Sequence, residues 1–208
     1  MLAPATGRLS LHDFTLADLG QYKREGSLSP GITDHAVFYV GRDNVHGILC
    51  HLFERVALSL YLNMYGYDDD ELNQKVWASV KDSFVTTMIT LDSSQAGGAH
   101  EKGLLVADEK DDLATFNTHF AIGQSATGRI THTKGGVLDG RVWFEGSTNW
   151  SPDGEGIFPA GKNAPAAAQN NTLTVGTNAV ICAEFTAELV REHMDAQKRT
   201  AVKVARGG

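Results

Sequence analysis

The stretch 131–151, THTKGGVLDGRVWFEGSTNWS, places residues that can do chemistry at short spacings. His132 and Lys134 are two residues apart, so on an extended strand both side chains project from the same face. One phosphate group could then meet both of them. An imidazole can attack phosphorus as a nucleophile, and a lysine supplies fixed positive charge. Together the two residue types predict chemistry on a phosphodiester.

Three further positions, Gly146, Ser147 and Asn149, close this stretch. Serine and asparagine are neutral hydrogen-bond donors for oxygens that become more negative in a transition state. Glycine lets the backbone approach a substrate closely, so Gly146 is a predicted substrate-binding position. Residues 128–139 and 141–147 have the pattern of strands, and the Asp-Gly of LDGR predicts a hairpin turn between them. The donors are therefore expected on the strand beside His132.

The spacing is a histidine, one residue, a lysine, four residues, an aspartate, six residues and then Gly-Ser-x-Asn. This pattern resembles the signature of the phospholipase D superfamily. The resemblance implies that His132 is the nucleophile and forms a phosphohistidine. It further implies that Lys134 and Asn149 bind the phosphate and that Ser147 assists. Asp139, the remaining member of the predicted catalytic set, is expected to orient the local network rather than to contact substrate, although turn formation alone would also explain it.

The chain carries one copy of this motif. The chemistry needs one histidine to attack and another to protonate the leaving oxygen on the opposite side of phosphorus. In the superfamily, long members carry two motifs and short members pair two chains. At 208 residues, this chain resembles the short members, such as the bacterial Nuc-type endonucleases. The resemblance implies a homodimer with one composite active site.

One departure from the family pattern follows the motif. Short members often carry a glutamate that orients the histidine, whereas the corresponding QNNT stretch here offers Gln169, Asn170 and Asn171. An amide can hydrogen-bond an imidazole but cannot stabilise an imidazolium by charge. Either another carboxylate replaces this glutamate or catalysis is impaired. Glu145 and Asp153 are both candidates for that carboxylate, and the sequence does not choose between them.

Composition indicates one globular domain, with 42% hydrophobic and 21% charged residues and no apolar run of membrane-spanning length. The first residues lack the pattern of a signal peptide. Cys50 and Cys182 form no spacing motif and lie in helix-like segments, which favours a reducing, cytoplasmic setting. The sequence does not exclude one disulfide between them. His46 and His51 are five residues apart, so they do not share a helix face as a metal pair would. We expect no metal and no cofactor.

Hydrophobic periodicity predicts a βαβαβ order followed by further strands. A strand at 35–40 precedes a helix that Asp43 or Asn44 could cap, and strands at 58–65 and 84–91 flank a second helix. Additional strands are expected at 118–123 and 172–176. A last helix begins near Asn178, with inward-facing apolar positions at Val180, Ile181, Phe185 and Leu189.

These elements predict an α/β fold, with a mixed sheet flanked by helices on both faces. We expect an N-terminal extension over 1–30 and one phospholipase D-like domain over 31–208. The Gly-, Pro- and Ala-rich loop 152–170 is either a functional lid or mobile.

Substrate preference rests on weaker features. The net charge of −7 argues against binding nucleic acid through the overall field. The basic segment 197–208, with Lys198, Arg199, Lys203 and Arg206, is either a solvated tail or a patch that favours nucleic acid. A metal-independent nuclease is the leading hypothesis. The first alternative is a phospholipase or phosphatidyl transferase, in which Ile157 and Phe158 would contact lipid without stable insertion into a membrane. The second alternative is a non-catalytic nucleic-acid-binding dimer.

Overall fold

The computed structural model of the chain describes residues 10–24, 28, 34–92, 120–123, 132–157 and 168–205, with the side chains of 122, 123 and 199–205 excepted. The described residues form a 3-10 helix (Leu16–Tyr22), seven strands and four α-helices. The strands are β1 (His35–Tyr39), β2 (Ser59–Met64), β3 (Thr86–Asp92), β4 (Phe120–Gly123), β5 (Lys134–Leu138), β6 (Val142–Gly146) and β7 (Thr172–Gly176). The α-helices are α1 (Val45–Phe53), α2 (Asp70–Val80), α3 (Pro152–Glu155) and α4 (Ala179–Ala205).

All seven strands belong to one sheet, in the order β1-β7-β6-β5-β2-β3-β4. β2, β3 and β4 pair in parallel, whereas β1 with β7, β7 with β6, β6 with β5 and β5 with β2 pair antiparallel. The sheet is therefore mixed, as predicted. β1, β2, β3, β4 and β6 run in one direction, and β5 and β7 run in the other.

Helices cover both faces of this sheet, which confirms the predicted α/β layers. One face carries the larger hydrophobic core, which contains buried residues of α1, α2 and the sheet. On the other face α4 packs across β2 to β6, and Cys182 and Leu189 meet Val137 in a second, smaller cluster. Neighbouring residues of β5 fall into different clusters because successive strand side chains point to opposite faces.

The starts of α1 and α2 are fixed by local side chains. Asn44 caps α1 and accepts a hydrogen bond from the backbone N–H of Gly47 at 2.9 Å. Asp69 caps α2 and accepts from the N–H of Leu72 at 2.7 Å. These contacts satisfy amide groups that have no partner within the helix. Of the two residues that the sequence offered as a cap for α1, Asn44 takes that role.

The face that α4 turns inward differs from the predicted one. Val180 is 65% exposed and Ile181 is 38% exposed, so the prediction that both pack inward is wrong. Leu189 is buried as predicted and Phe185 packs beside it. Cys182 and Ala196 are buried in place of Val180 and Ile181. The three buried residues are seven positions apart from one to the next, which keeps them on one side of a helix while Val180 and Ile181 fall outside it.

Segments at the ends of the chain are partly described. Leu11, Leu16 and Leu19, from the expected N-terminal extension, are buried in the larger core. α4 continues to Ala205, so the basic segment is helical up to that residue, and Lys198 is exposed. Residues 158–167 of the long loop and Arg206 lie outside the described residues, and so do the expectations for them. Cys50 and Cys182 are both free and buried.

Candidate active site

The motif residues lie at the edge of the sheet where β2, β3 and β6 end and where β5 and β7 begin, here called the carboxyl edge. Met64, the last residue of β2, pairs with Lys134, the first residue of β5. Gly135 of β5 pairs with Glu145 of β6 in an antiparallel register. The same register, continued past the strand ends, places the residues just before β5 beside those just after β6. Crevices beyond the carboxyl ends of strands are the usual place for ligands in open α/β sheets.

His132 lies two residues before β5, not within a strand as the sequence predicted. It is exposed, and its ring centroid is 4.7 Å from that of Tyr65, the residue that follows β2. Lys134 is only 4% exposed. Its Nζ donates to the backbone oxygen of His132 at 2.7 Å and lies 4.6 Å from the centroid of the Tyr65 ring. A solvent-exposed imidazole and a buried ammonium group therefore both contact the ring of Tyr65.

The surroundings of Lys134 set its electrostatics. Burial lowers the pKa of Lys134, and the negative charge of Asp92 offsets this only in part. Asp92 is the last residue of β3 and is fully buried at the same edge. A poorly hydrated cation interacts more strongly with an anion than a solvated one does. Lys134 is thus suited to hold a phosphate oxygen.

Ser147 follows β6 and is exposed toward the same edge. Its Oγ accepts a hydrogen bond from the backbone N–H of Thr172 at 3.0 Å, which leaves the hydroxyl hydrogen available to donate. Gly146 has a structural explanation. A Cβ at this position would lie 2.0 Å from the backbone oxygen of Thr172, so only glycine lets β6 and β7 pair here.

Asn149 packs against the loop that follows β2. A Cβ on Gly66 would lie 2.9 Å from the Asn149 side chain, and the backbone N–H of Trp150 donates to the oxygen of Gly66 at 2.8 Å. The Oδ1 atom of Asn149 is buried and has no hydrogen-bond partner among the described residues. We call Tyr65, His132, Lys134, Ser147 and Asn149 the motif group.

Asp139 is the motif residue that the structure does not bring to this group. It follows β5 at the opposite edge of the sheet, about 16 Å along the strand from Lys134 at the usual rise per residue. Its carboxylate accepts hydrogen bonds from the backbone N–H groups of Leu58 at 2.8 Å and Ser59 at 2.9 Å, and of Ala57 at 3.1 Å. Its φ of 53° is one that aspartate tolerates better than most residues. Asp139 therefore fixes the turn and the start of β2, as expected if turn formation explains it, and its place in the catalytic set stays a prediction.

The carboxylate expected beside His132 is not found in the two predicted places. Glu145 and Asp153 are exposed, and among the described contacts none joins either of them to His132. The side-chain amide of Asn171 donates to the oxygens of Gly154 at 3.1 Å and Gln169 at 3.0 Å. Asn171 thus fixes the backbone that follows α3. The side chain that contacts the His132 ring is Tyr65.

A second polar cluster lies where α1 and α2 begin, also near the carboxyl edge. His46 Nδ1 donates to Glu155 Oε2 at 2.7 Å and lies 3.8 Å from Asp69 Oδ2. His46 Nε2 lies 3.1 Å from Glu71 Oε2 and 3.3 Å from Cys50 Sγ. These five residues, here the His46 group, contain donor atoms spaced closely enough to hold a metal ion.

Burial and hydrogen bonds within this group shift the pKa values of His46 and Glu155. Burial alone would lower the pKa of His46, but hydrogen bonds with Cys50, Glu155 and Glu71 outweigh burial and raise this pKa to about 11. Burial raises the pKa of Glu155 to about 7, and the hydrogen bond from His46 opposes that rise. The group therefore favours a positive charge at its centre.

Sequence reasoning missed Tyr65, Asp92 and the His46 group. Tyr65 and Asp92 each follow or end a strand at the carboxyl edge, which would have been a usable signal once the strand order was known. His46 and Cys50 are four residues apart, which places them on one helix face. Their carboxylate partners come from distant segments, so no short motif includes them.

No protein-family model and no curated protein matches the chain. Solved structures do. The superposition on the structure described as a phospholipase D family member, Nuc from Salmonella typhimurium, has a TM-score of 0.53 and 14% identity, covering 76% of this chain and 93% of that one. NucT from Helicobacter pylori superposes with a TM-score of 0.56 and 12% identity, over 78% of this chain and 96% of that one.

The chain has the phospholipase D fold. The same fold relates it to a phosphatidylserine synthase from Haemophilus influenzae Rd KW20, with a TM-score of 0.54 and 16% identity. That match covers 85% of this chain but 43% of the synthase, so the chain spans less than half of its length. In the described part of this phospholipase D-like chain, no helix combines the length and the apolar character needed to cross a bilayer.

Proposed function

We propose that the chain is a metal-independent phosphodiesterase that forms a phosphohistidine at His132, and that nucleic acid is its substrate. The observation that carries this proposal is that the exposed imidazole of His132 and the buried Nζ of Lys134 lie against the same Tyr65 ring, at 4.7 Å and 4.6 Å from its centroid. Ser147 and Asn149 add donors from the neighbouring strand end. The phospholipase D fold and the six matching motif positions support the same assignment.

In the first step Nε2 of His132 attacks phosphorus, and the bond between phosphorus and the leaving oxygen breaks. Lys134 holds a non-bridging oxygen by charge, while Ser147 and Asn149 donate hydrogen bonds as negative charge builds on the phosphoryl oxygens. The leaving oxygen takes a proton from the partner subunit's His132. The product of this step is a covalent phosphohistidine and a free alcohol.

In the second step water attacks the phosphohistidine and the phosphorus–nitrogen bond breaks. The partner subunit's His132 now accepts the proton of that water, which is the reverse of its first task. His132 is released with its original lone pair. Because each chain supplies one motif, this cycle requires a homodimer with one composite site on its twofold axis.

Nucleic acid is the preferred substrate in this proposal. The chain covers nearly the whole of the Nuc structure, at 93% of its length, and the resemblance is to short endonucleases of that type. Lys198 is exposed on α4 in the basic segment and could contact backbone phosphates. The likeness to a phosphatidylserine synthase supports a phospholipid substrate as the second candidate.

Hydrolysis of an aryl phosphodiester in EDTA tests the chemistry. The wild type is expected to turn over, and His132→Ala should lose at least about a thousandfold in kcat/KM. His35→Ala is the matched control, because His35 is an exposed histidine at the start of β1, at the opposite edge of the sheet. Equal activity in the wild type and His132→Ala would overturn the assignment. A folded wild type without activity would favour the non-catalytic binding dimer.

Mixing the wild type with His132→Ala tests the composite site. If both histidines of a dimer are needed, mixed dimers are inactive and only about one quarter of the dimers keep activity after equal mixing and exchange. Activity proportional to the wild-type fraction would show that one chain suffices. Light scattering on the same samples gives the oligomeric state.

A substrate panel separates the two candidate substrates. Single-stranded DNA, duplex DNA, RNA and phosphatidylcholine vesicles are offered side by side to the wild type and His132→Ala. We expect cleavage of nucleic acid by the wild type alone. Release of choline without nucleic-acid cleavage would replace the nuclease proposal with the phospholipid one.

A further inference from the structure

The His46 group contains a set of atoms with the composition and spacing of a metal site. Around a tetrahedral Zn²⁺ an N···O pair of ligands is about 3.3 Å apart and an N···S pair about 3.5 Å apart, given the usual bond lengths. His46 Nε2 lies 3.1 Å from Glu71 Oε2 and 3.3 Å from Cys50 Sγ. Shifts of a few tenths of an ångström would therefore admit the ion.

The other side of the same ring is arranged differently. His46 Nδ1 and Glu155 Oε2 are 2.7 Å apart, which is a hydrogen-bond length and too short for two ligands of one tetrahedral ion. A metal-bound histidine usually donates its second N–H to a carboxylate, which fixes the tautomer and orients the ring. Glu155 occupies that position, so Nε2 faces the donor atoms of Glu71 and Cys50.

Glu155 also supplies an independent sign that the charge of its carboxylate is not fully compensated. The residue is 2% exposed, and its Oε1 is buried without a hydrogen-bond partner among the described residues. A buried carboxylate oxygen without a partner is costly. Glu155 lines, together with His46, a cavity of about 530 Å³. A divalent ion on Nε2 would strengthen the charge that this carboxylate meets.

The fold prepares the remaining ligands. His46 and Cys50 are four residues apart on α1 and so share one face. Lys75 Nζ lies 3.2 Å from Glu71 Oε1, which keeps the second oxygen, Oε2, directed at His46. The Glu71 side chain is 56% exposed, so solvent reaches the site from that side.

We propose that His46 Nε2, Cys50 Sγ and the Glu71 carboxylate bind one Zn²⁺ ion, with water as the fourth ligand and Glu155 holding the histidine ring. Mixed nitrogen, sulfur and oxygen ligands suit Zn²⁺ better than Mg²⁺ or Ca²⁺. The ion would tie α1 to the first turn of α2, and Glu155 would link α3 to it. None of these residues belongs to the motif group, so the site is separate from the proposed phosphodiester chemistry.

Zinc content tests this site directly. The purified chain is incubated with Zn²⁺, desalted in the presence of a weak chelator and analysed for metal by mass spectrometry. We expect one zinc per chain in the wild type and at least a tenfold weaker affinity in His46→Gln and Cys50→Ala, since each removes one ligand. Cys182→Ala, a second buried helix cysteine, and His35→Gln, an exposed histidine, should retain the ion.

Cobalt gives a readout that does not depend on the variants folding. Co²⁺ bound to the wild type and to Cys182→Ala should show the thiolate charge-transfer absorption of a Co–S bond. A folded wild type that binds neither ion, or that shows no such absorption, would overturn the proposal. Equal zinc binding by the wild type, His46→Gln and Cys50→Ala would do the same. Activity in EDTA is measured separately, so failure of this site leaves the phosphohistidine chemistry untouched.

Discussion

His132 and His46 both lie near the carboxyl edge of the sheet, yet the charges around them are opposite. His132 is exposed, its ring packs against Tyr65, and its backbone oxygen accepts a hydrogen bond from the buried Lys134. His46 is largely covered and touches the carboxylates of Glu71 and Glu155. The motif group therefore suits an anion and the His46 group a cation. The two residues are of the same type, so the charges of their neighbours determine which ligand each histidine suits.

Removing Lys134 from the motif group, and Lys75 from beside the His46 group, is the strongest way to break this comparison. Lys134→Met should lower kcat/KM for an aryl phosphodiester by about 10²–10³-fold, because the phosphate loses a preorganised charge. Lys75→Met removes a lysine that contacts Glu54 and Glu71 and should leave the rate nearly unchanged. Steady-state kinetics on both variants checks the difference. Similar losses in both would show that the two groups are not functionally separate.

Asp139 sharpens the comparison because it belongs to the motif and to neither group. Asp139→Ala removes a carboxylate that accepts three backbone N–H groups, so the free energy of unfolding should fall by about 2–3 kcal/mol. Asp139→Asn should lose less, since an amide oxygen still accepts and asparagine tolerates positive φ. Urea unfolding measures both. The rate per folded molecule should not change. A large loss of kcat in a stably folded Asp139→Asn variant would instead support a catalytic role for Asp139.

Gly66 tests whether Asn149 belongs to the motif group in function. Gly66→Ala places a Cβ within 2.9 Å of the Asn149 side chain, so that side chain must move. A shift of this size at a positioning contact should cost about tenfold in kcat/KM. Gly20→Ala is the matched control, since a Cβ there meets nothing within 4 Å. Full activity of Gly66→Ala would mean that Asn149 does not hold the phosphate.

Asp92 is the carboxylate whose charge acts on the motif group, and it should produce the smallest effect. Its charge raises the pKa of Lys134, against the larger lowering by burial. Asp92→Asn removes this support, so Lys134 loses its proton at lower pH. The alkaline fall of kcat/KM should then move to lower pH, whereas the exposed control Glu145→Gln should leave it in place. A pH–rate profile that is unchanged by Asp92→Asn would exclude Lys134 from the alkaline limb.

The sheet and its helices were largely predictable from the sequence. Leu60, Leu62 and Met64 alternate on β2 and are all buried as the period of two predicts. The burial face of α4 was not predictable in the same way, because Val180 and Ile181 are as apolar as the residues that pack. Which apolar positions face the sheet depends on where the helix crosses it, and that is a tertiary property.

The candidate sites differ in how far sequence could define them. His132, Lys134, Ser147 and Asn149 are close in the chain, so their spacing predicted them as one group. Tyr65 joins them only because β2 pairs with β5. His46 was considered only with His51, and its actual neighbours were missed. The residues of the His46 group come from α1, the start of α2 and α3, so no local pattern includes all of them.

Trapping the covalent intermediate tests the central claim most directly. The wild type is mixed with an aryl phosphodiester, quenched in base within the first turnovers and analysed by intact-mass and peptide mass spectrometry. The account predicts a phosphoryl adduct on the peptide that contains His132, in no more than one subunit of each dimer, and no adduct in His132→Ala. Turnover without an adduct, or an adduct on another residue, would contradict it.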